Sequence, residues 1–133
     1  MTGFLDTNIL IYALDRGAAH GEVALGLIGP ENRLAVQSLN EYAHVCRRKL
    51  RMDWREIQSG LSAVLGLCAA PPIPLTFEIH TQGLWLAERY QLAVYDALLI
   101  AAALSADCEI FWSEDLHDGL ILDGRLTIRN PFV

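Results

Sequence analysis

The chain has 133 residues, of which 53% are hydrophobic and 20% charged, and a formal net charge of −6. That length suits one domain burying roughly two thirds of the surface its unfolded chain exposes, and the composition excludes a disordered chain while leaving apolar surface for a partner. No stretch approaches the ~20 apolar residues of a membrane span, and the amino terminus shows no basic region followed by a cleavable apolar stretch, so a cytoplasmic location is expected.

Gly3-Phe4-Leu5 reads as a short strand, and Ile9, Leu10, Tyr12, Ala13 and Leu14 suit a helix packed on a sheet. Asp6, Thr7 and Asn8 form the bend between them. In an open parallel sheet ligands collect beyond the carboxyl ends of the strands, so Asp6 faces the usual site region. The plain alternative is a helix cap. Residues from about Ala18 to Ile28 have helical spacing, closed by Gly29-Pro30. Leu34-Ala35-Val36 is a brief strand-like run before Ser38-Leu39-Asn40-Glu41, a capping-box signal opening another helix. Glu41 is thus a second carboxylate just past a strand end, with capping as its structural explanation.

Arg47, Arg48, Lys49, Arg51 and Arg55 are five of the ten Lys and Arg residues. The strip Arg47, Arg48, Lys49 and Arg51 either complements a helix C-terminus or forms a phosphate-positioning patch within reach of Glu41. Asp53-Trp54-Arg55-Glu56 opens a helix that runs to Cys68, and Pro71, Pro72 and Pro74 stop it. Ile73-Pro74-Leu75 is at most a short edge strand. Thr76 caps a long helix interrupted by Gly83, and the following helix has no polar residue from Ala97 to Leu104, so it is expected to be buried on every side. Asp96 lies in its first turn. Glu109 to Ser113 is strand-like and ends in the turn Ser113-Glu114-Asp115-Leu116-His117-Asp118-Gly119, and Leu126 to Arg129 forms a last strand.

Alternating strands and helices with short connections predict a three-layer α/β/α domain with a mainly parallel central sheet. Asp6, Glu41, Asp96 and Asp115 all fall at strand ends or helix starts. Acids gathered on one edge repel unless cations join them, and carboxylates suit hard ions such as Mg²⁺ or Mn²⁺. Cys46, Cys68 and Cys108 lack a Cys-x-x-Cys pair and read as buried thiols. His20, His44, His80 and His117 lack metal-ligand spacing, with His117 the nearest to the acids in sequence.

At these residues the chain resembles the PIN-domain ribonucleases, and among them toxins of the VapBC toxin–antitoxin type. The matching pieces are Phe4-Leu5-Asp6-Thr7-Asn8-Ile9-Leu10-Ile11-Tyr12, Asn40-Glu41, Tyr95-Asp96-Ala97 through Ala103, Trp112-Ser113-Glu114-Asp115-Leu116, Asp123-Gly124-Arg125-Leu126 and Asn130-Pro131-Phe132. The middle, about Gly60 to Leu92, matches only in pattern. The resemblance implies a PIN-like fold and Mg²⁺- or Mn²⁺-dependent cleavage of structured RNA leaving a 5′-phosphate. It also implies an antitoxin partner and a homodimer. By it, Asp6, Glu41, Asp96 and Asp115 are the catalytic, metal-binding acids, with Asp6, Asp96 and Asp115 foremost as ligands. Thr7, Asn8 and Ser113 give polar support, and Asp118 is either a further ligand or a residue that bends the loop.

Three alternatives stay open. An aspartyl-phosphate phosphotransferase or receiver domain also places an acid at a strand end, but Asp6-Thr7-Asn8 lacks the second aspartate two residues on. A catalytically silent PIN-like module binding RNA or protein is disfavoured by the presence of all four acids. A dinucleotide-binding fold lacks Gly-x-Gly-x-x-Gly after the first strand.

Overall fold

The computed structural model describes residues 2–15 and 19–133. Along the chain these form β1 (Gly3–Leu5), α1 (Thr7–Leu14), α2 (Gly21–Leu27), β2 (Asn32–Arg33), α3 (Val36–Arg48) and α4 (Trp54–Leu67). There follow α5 (Phe77–Tyr90), α6 (Val94–Ser105), β3 (Ile110–Trp112), β4 (Ile121–Leu122) and β5 (Leu126–Arg129). The sheet runs in the order β2-β1-β3-β5-β4. All neighbours are parallel except β4, which pairs antiparallel with β5 at one edge.

Alternation along the central strands divides the core into two layers, because successive side chains of a strand point to opposite faces. Phe4 and Phe111 stack at 5.3 Å within a cluster built with α5 and α6. Leu5 joins the opposite cluster with Ile9, Leu10, Ala24, Tyr42, Cys46, Ile57 and Val64 from α1 to α4. The predicted three-layer α/β/α architecture is the observed one. Helix α6 is buried from Ala97 to Leu104, as its unbroken apolar run requires.

Several local expectations change. The start of α3 is Val36, not Ser38, because Ala35 is already extended at the N-cap and Ser38 Oγ accepts the Ala35 N–H at 3.3 Å from inside the first turn. Glu41 therefore lies in the body of α3 and is not a capping-box residue. The strand before it is Asn32–Arg33, and Ile73 contributes only a parallel bridge to Ala35, since the surrounding prolines cannot extend a ladder. Gly83 does not interrupt α5. It is buried where α5 crosses α6, and a Cβ there would lie 2.7 Å from Leu98 Cδ2. The β4–β5 hairpin turns through Asp123 and Gly124 at φ 52° and 67°, the positive-φ pair of a type I′ turn. Of the helix expected from about Ala18, Gly21–Leu27 is observed and Ala18 lies outside the described residues. Cys46 and Cys108 are buried thiols, whereas Cys68 is half-buried. The caps at Asp53 and Thr76 form as expected, accepting the N–H groups of Glu56 and Ile79 at 2.8 and 3.1 Å.

Gly3 is required by close approach. A Cβ there would overlap Asn32 Oδ1 and come within 3.0 Å of Trp112 Nε1. The Asn32 amide cannot swing aside freely, because its Nδ2 donates to Leu27 O at 2.8 Å. Gly3→Ala should therefore destabilise the fold by about 1–3 kcal/mol, the usual range for overpacking. Urea denaturation reads this directly, and an unchanged midpoint would show that the strand accommodates the methyl group.

Candidate active site

From β1 the chain moves to β2 on one side, then crosses to place β3 on the other. The crevice between the carboxyl ends of β1 and β3 is therefore the topological switch point, where open α/β sheets bind ligands. Asp6 follows β1 directly, and Ser113 follows β3. Parallel pairing of Leu5 with Trp112 sets the two junctions side by side, and the Asp6 N–H continues the ladder to Trp112 O at 3.0 Å.

Asp6 serves as cap and site residue at once. Its Oδ1 accepts the Thr7 N–H at 2.7 Å, while Oδ2 accepts the Ser113 hydroxyl at 2.7 Å and the Asn8 amide at 3.3 Å. The Ser113 Oγ in turn accepts the N–H groups of Asp115 and Leu116 at 3.2 and 3.3 Å. Asn8 spans the crevice, donating also to Asp115 Oδ2 at 3.0 Å and accepting the Glu114 N–H at 3.4 Å. Glu41 comes from α3. It accepts the Thr7 hydroxyl at 3.4 Å and the Gln37 amide at 3.1 Å. Asp96 stands in the first turn of α6, whose N-cap Ala93 has no side-chain cap, so capping does not account for it.

The carboxyl groups feel one another. Burial pushes Asp6 up to about 6, against the opposing hydrogen bonds of Ser113 and Thr7, with the charges of Asp96 and Asp115 adding to the rise. Burial likewise pushes Glu41 up to about 7, with the charges of Asp6 and Asp96 contributing. Asp96 is raised by burial and then by Asp115. All four acids thus act on one edge, supplied by the β1–α1 junction, the body of α3, the first turn of α6 and the loop after β3. Thr7, Asn8 and Ser113 lie among them as bond partners.

Asp118 is engaged elsewhere. Its Oδ1 accepts the Asn130 N–H at 2.9 Å and holds the C-terminal segment. His117 is exposed. In the basic strip, Arg47 lies over the Trp54 ring at 5.0 Å and donates to Met52 O at 3.1 Å. Arg48 follows Glu41 by seven residues, two turns on and about 10 Å along the same face of α3. Gln37, Tyr12 and Glu114 escape a reading of the sequence. Gln37 is legible as the residue four before Glu41 once α3 starts at Val36, whereas the 2.7 Å bond from Tyr12 OH to Glu114 Oε2 spans the fold and leaves no sequence signal.

Among the described residues no three Asp, Glu, His or Cys side chains form a closed metal-ligand set. The donor chemistry nevertheless fits a hard divalent cation. The side chains are all oxygen donors, and the upward shifts of Asp6, Glu41 and Asp96, caused first by burial and then by neighbouring carboxylates, show charge that a bound cation would compensate. A carboxylate has about four lone-pair sites, so the bonds to Asp6 leave it acceptor capacity.

The PIN domain profile matches residues 3–117. This chain belongs to the PIN domain family. No curated protein sequence matched it. Among solved structures, a toxin–antitoxin complex from Klebsiella pneumoniae superposes with a TM-score of 0.72 at 22% identity, covering 98% of each chain. Mycobacterium tuberculosis VapC20, described as a sarcin–ricin loop cleaving toxin, gives 0.69 at 17% identity over 86% of this chain and 92% of that one. VapBC2 from Rickettsia felis, bound to a promoter DNA fragment, gives 0.68 at 20% identity over 98% of each. These similarities establish a shared PIN fold.

An acid with a raised folded pKa weakens the fold above that pKa and ceases to do so below its unfolded value. For Asp6 and Glu41 the penalty grows from pH 3.8 and 4.5 up through about 6 and 7. Asp96→Asn removes a charge that raises both, so the metal-free variant should melt above the parent at about pH 8 and lose that advantage by about pH 4. Saturating Mn²⁺ should reverse the order, since ligand at a hundred times its dissociation constant stabilises by about 2.7 kcal/mol. Thermal melting at two pH values, with and without Mn²⁺, checks this; a parent that ignores both pH and Mn²⁺ would count against an ion site on this edge.

Proposed function

We propose that this PIN-domain chain is a divalent-metal-dependent endoribonuclease that hydrolyses RNA phosphodiesters in the cytoplasm, and the toxin of a toxin–antitoxin pair. The observation that carries the reading is the convergence of Asp6, Glu41, Asp96 and Asp115 on the switch-point edge, where burial and neighbouring carboxylate charge raise the pKa values of Asp6, Glu41 and Asp96. Asp6, Asp96 and Asp115 would hold Mg²⁺ or Mn²⁺. When bound, such an ion supplies a Lewis acid and a water of lowered pKa. Glu41, held near pH 7 and oriented by Gln37 and Thr7, is suited to accept a proton, because a general base works best with a pKa close to the working pH. Ser113 and Asn8 keep the Asp6 and Asp115 carboxylates aimed into the crevice.

The toxin role is supported by the toxin–antitoxin neighbours and by the surface. A groove of about 780 Å³ between α1, α3 and α4, lined by Ile11, Leu14, Leu50 and Met52 together with Asp15, Glu56 and Ser59, offers a mixed apolar and polar seat for an antitoxin segment. The charged residues in its lining are Asp15 and Glu56. Exposed Phe77, Leu84 and Trp85 on α5, with Tyr95 at the start of α6, offer a face for a second copy in a homodimer. No helix among the described residues is long and apolar enough to cross a membrane.

Purified protein freed of its partner should cleave end-labelled RNA with Mg²⁺ or Mn²⁺ and stop in excess chelator. Asp96→Asn should lose roughly a hundredfold or more of this rate, the scale of removing one electrostatic contributor from an active site, while remaining folded by circular dichroism. Cleavage that persists undiminished in chelator would sink the metal mechanism.

The exposed part of the basic strip is proposed to hold RNA phosphates on the Glu41 side of the crevice. Arg48→Gln with Lys49→Gln should flatten the log-affinity against log-salt slope by about 0.7 for each single-strand phosphate that is no longer neutralised. Arg47 is left intact because its stack on Trp54 has a packing role. A slope and affinity identical to the parent would make the strip a solvated helix end.

A further inference from the structure

Beside the acids lies an aromatic cluster that the proposed chemistry does not use. His20 and Phe132 stack at 4.2 Å with 22° between their planes. Tyr12 meets both edge-on, at 5.1 Å from His20 and 5.2 Å from Phe132. These rings come from α1, the segment just before α2 and the C-terminal end of the chain, none is fully buried, and the His20 side chain remains 38% exposed. Their polar edges are tethered to one carboxylate: Tyr12 OH donates to Glu114 Oε2 at 2.7 Å, and His20 Nε2 lies 3.8 Å from Glu114 Oε1.

The cluster is built onto the acid edge. Glu114 immediately precedes Asp115, and its N–H donates to Asn8. Tyr12 follows Asn8 by four residues, hence on the same face of α1 and about 6 Å further along its axis. Phe132 is fixed by a relay of turn bonds: Asp118 accepts the Asn130 N–H, and Asn130 Oδ1 accepts the Phe132 N–H, each at 2.9 Å. This relay accounts for both Asp118 and the Asn130-Pro131-Phe132 motif.

We infer that Tyr12, His20 and Phe132 form a stacking platform for one unpaired nucleobase of an RNA strand whose phosphate lies at the neighbouring acids. The inference rests on the ribonuclease reading for the identity of the strand. A site about one helical turn from the acids is within the reach of a single nucleotide. The charge pattern favours a base at this position over a phosphate. Glu114 touches Tyr12 and His20 and the charge of Asp115 also reaches Tyr12, so a second phosphate would be repelled, whereas stacking on an aromatic face carries no such cost and is open to any base. An exposed stack of two rings has an outer face on which a third ring can continue the pile, with Tyr12 as its side wall. Sequence-selective RNA recognition generally works on splayed, single-stranded bases of this kind.

The test measures binding in excess EDTA, where the proposed cleavage is halted, so that it reads independently of activity. Single-stranded RNA oligonucleotides carrying 2-aminopurine at successive positions report stacking by fluorescence quenching. The parent should quench the probe strongly at one position, and an abasic site at that position should weaken binding on the order of tenfold, the weight of one stacked base. His20→Ala should lose both the quenching and that affinity, with no further loss from the abasic site. Such non-additivity marks a direct contact, whereas a structural role in pinning the C-terminus would leave the abasic loss intact. Phe132→Leu, which keeps apolar bulk but no ring, should behave as His20→Ala does, and should it fail to fold, His20→Ala alone decides. Equal quenching at all positions, or abasic and His20→Ala losses that simply add, would overturn the platform. Cleavage by the parent in Mg²⁺, run in parallel, tells that result apart from failure of the ribonuclease reading.

Discussion

The hydrogen bond between the Asp6 carboxylate and the Ser113 hydroxyl, 2.7 Å long and wholly buried, is the constraint on which the site depends. It closes the gap between the ends of β1 and β3 where the chain reverses its direction of winding. Ser113 uses its full capacity there. Its single proton goes to Asp6, and its two lone pairs accept the N–H groups of Asp115 and Leu116. One hydroxyl thereby orients the buried acid and folds the loop that carries the exposed one. The position of Asp115 follows from that of Asp6, through an atom belonging to neither.

Burying an acid is unfavourable unless its charge is compensated, and this edge is only partly compensated. Three hydrogen bonds reach Asp6, yet its pKa still rises to about 6, because desolvation outweighs them. The stability that tolerates this imbalance comes from elsewhere. Helix α6 places eight consecutive buried residues, Ala97 to Leu104, behind Asp96, and each buried Leu or Ile contributes about 1.5–3 kcal/mol by leaving water. The most apolar helix therefore carries an acid on its first turn without unravelling. Stability is held in the two apolar layers, and the strain of like charges is confined to the sheet edge. This separation is common where function requires a locally unfavourable arrangement.

The parts legible in the sequence were those governed by short-range rules. Period and burial identified β1, α5, α6 and β3, and the capping patterns at Asp53 and Thr76 named the bonds that form. The placement of Asp6, Asp96 and Asp115 near one edge was legible because each follows a strand end or opens a helix, whereas Glu41 was singled out through a capping box that does not form and reaches Thr7 from the body of α3. The start of α3 was misplaced because Ser38-x-x-Glu41 imitates a capping box, while the extended Ala35 beside Ile73 sets the true boundary through a tertiary bridge. The β4–β5 hairpin had a local signal in Asp123-Gly124, but β4 is two residues long and too short to show alternation. The Tyr12–His20–Phe132 cluster had no signal at all, since its members meet only after α1, the segment before α2 and the C-terminal turn have docked.

An acidic protein that acts on a polyanion must distribute its attractions in space. Under the proposed function, the carboxylates that bind cations cannot also attract phosphate, and their field extends over neighbouring surface within a Debye length of about 8 Å at physiological salt. Positive charge is therefore useful only outside that range. Arg48 stands about 10 Å from Glu41 along α3, beyond the strongest repulsion yet close enough to engage the same strand. Inside that range, the contacts available to a nucleotide are those indifferent to charge. The aromatic rings next to Asp115 supply such contacts, and Arg48 outside that range with rings inside it is a distribution that electrostatics favours at a site with this sign.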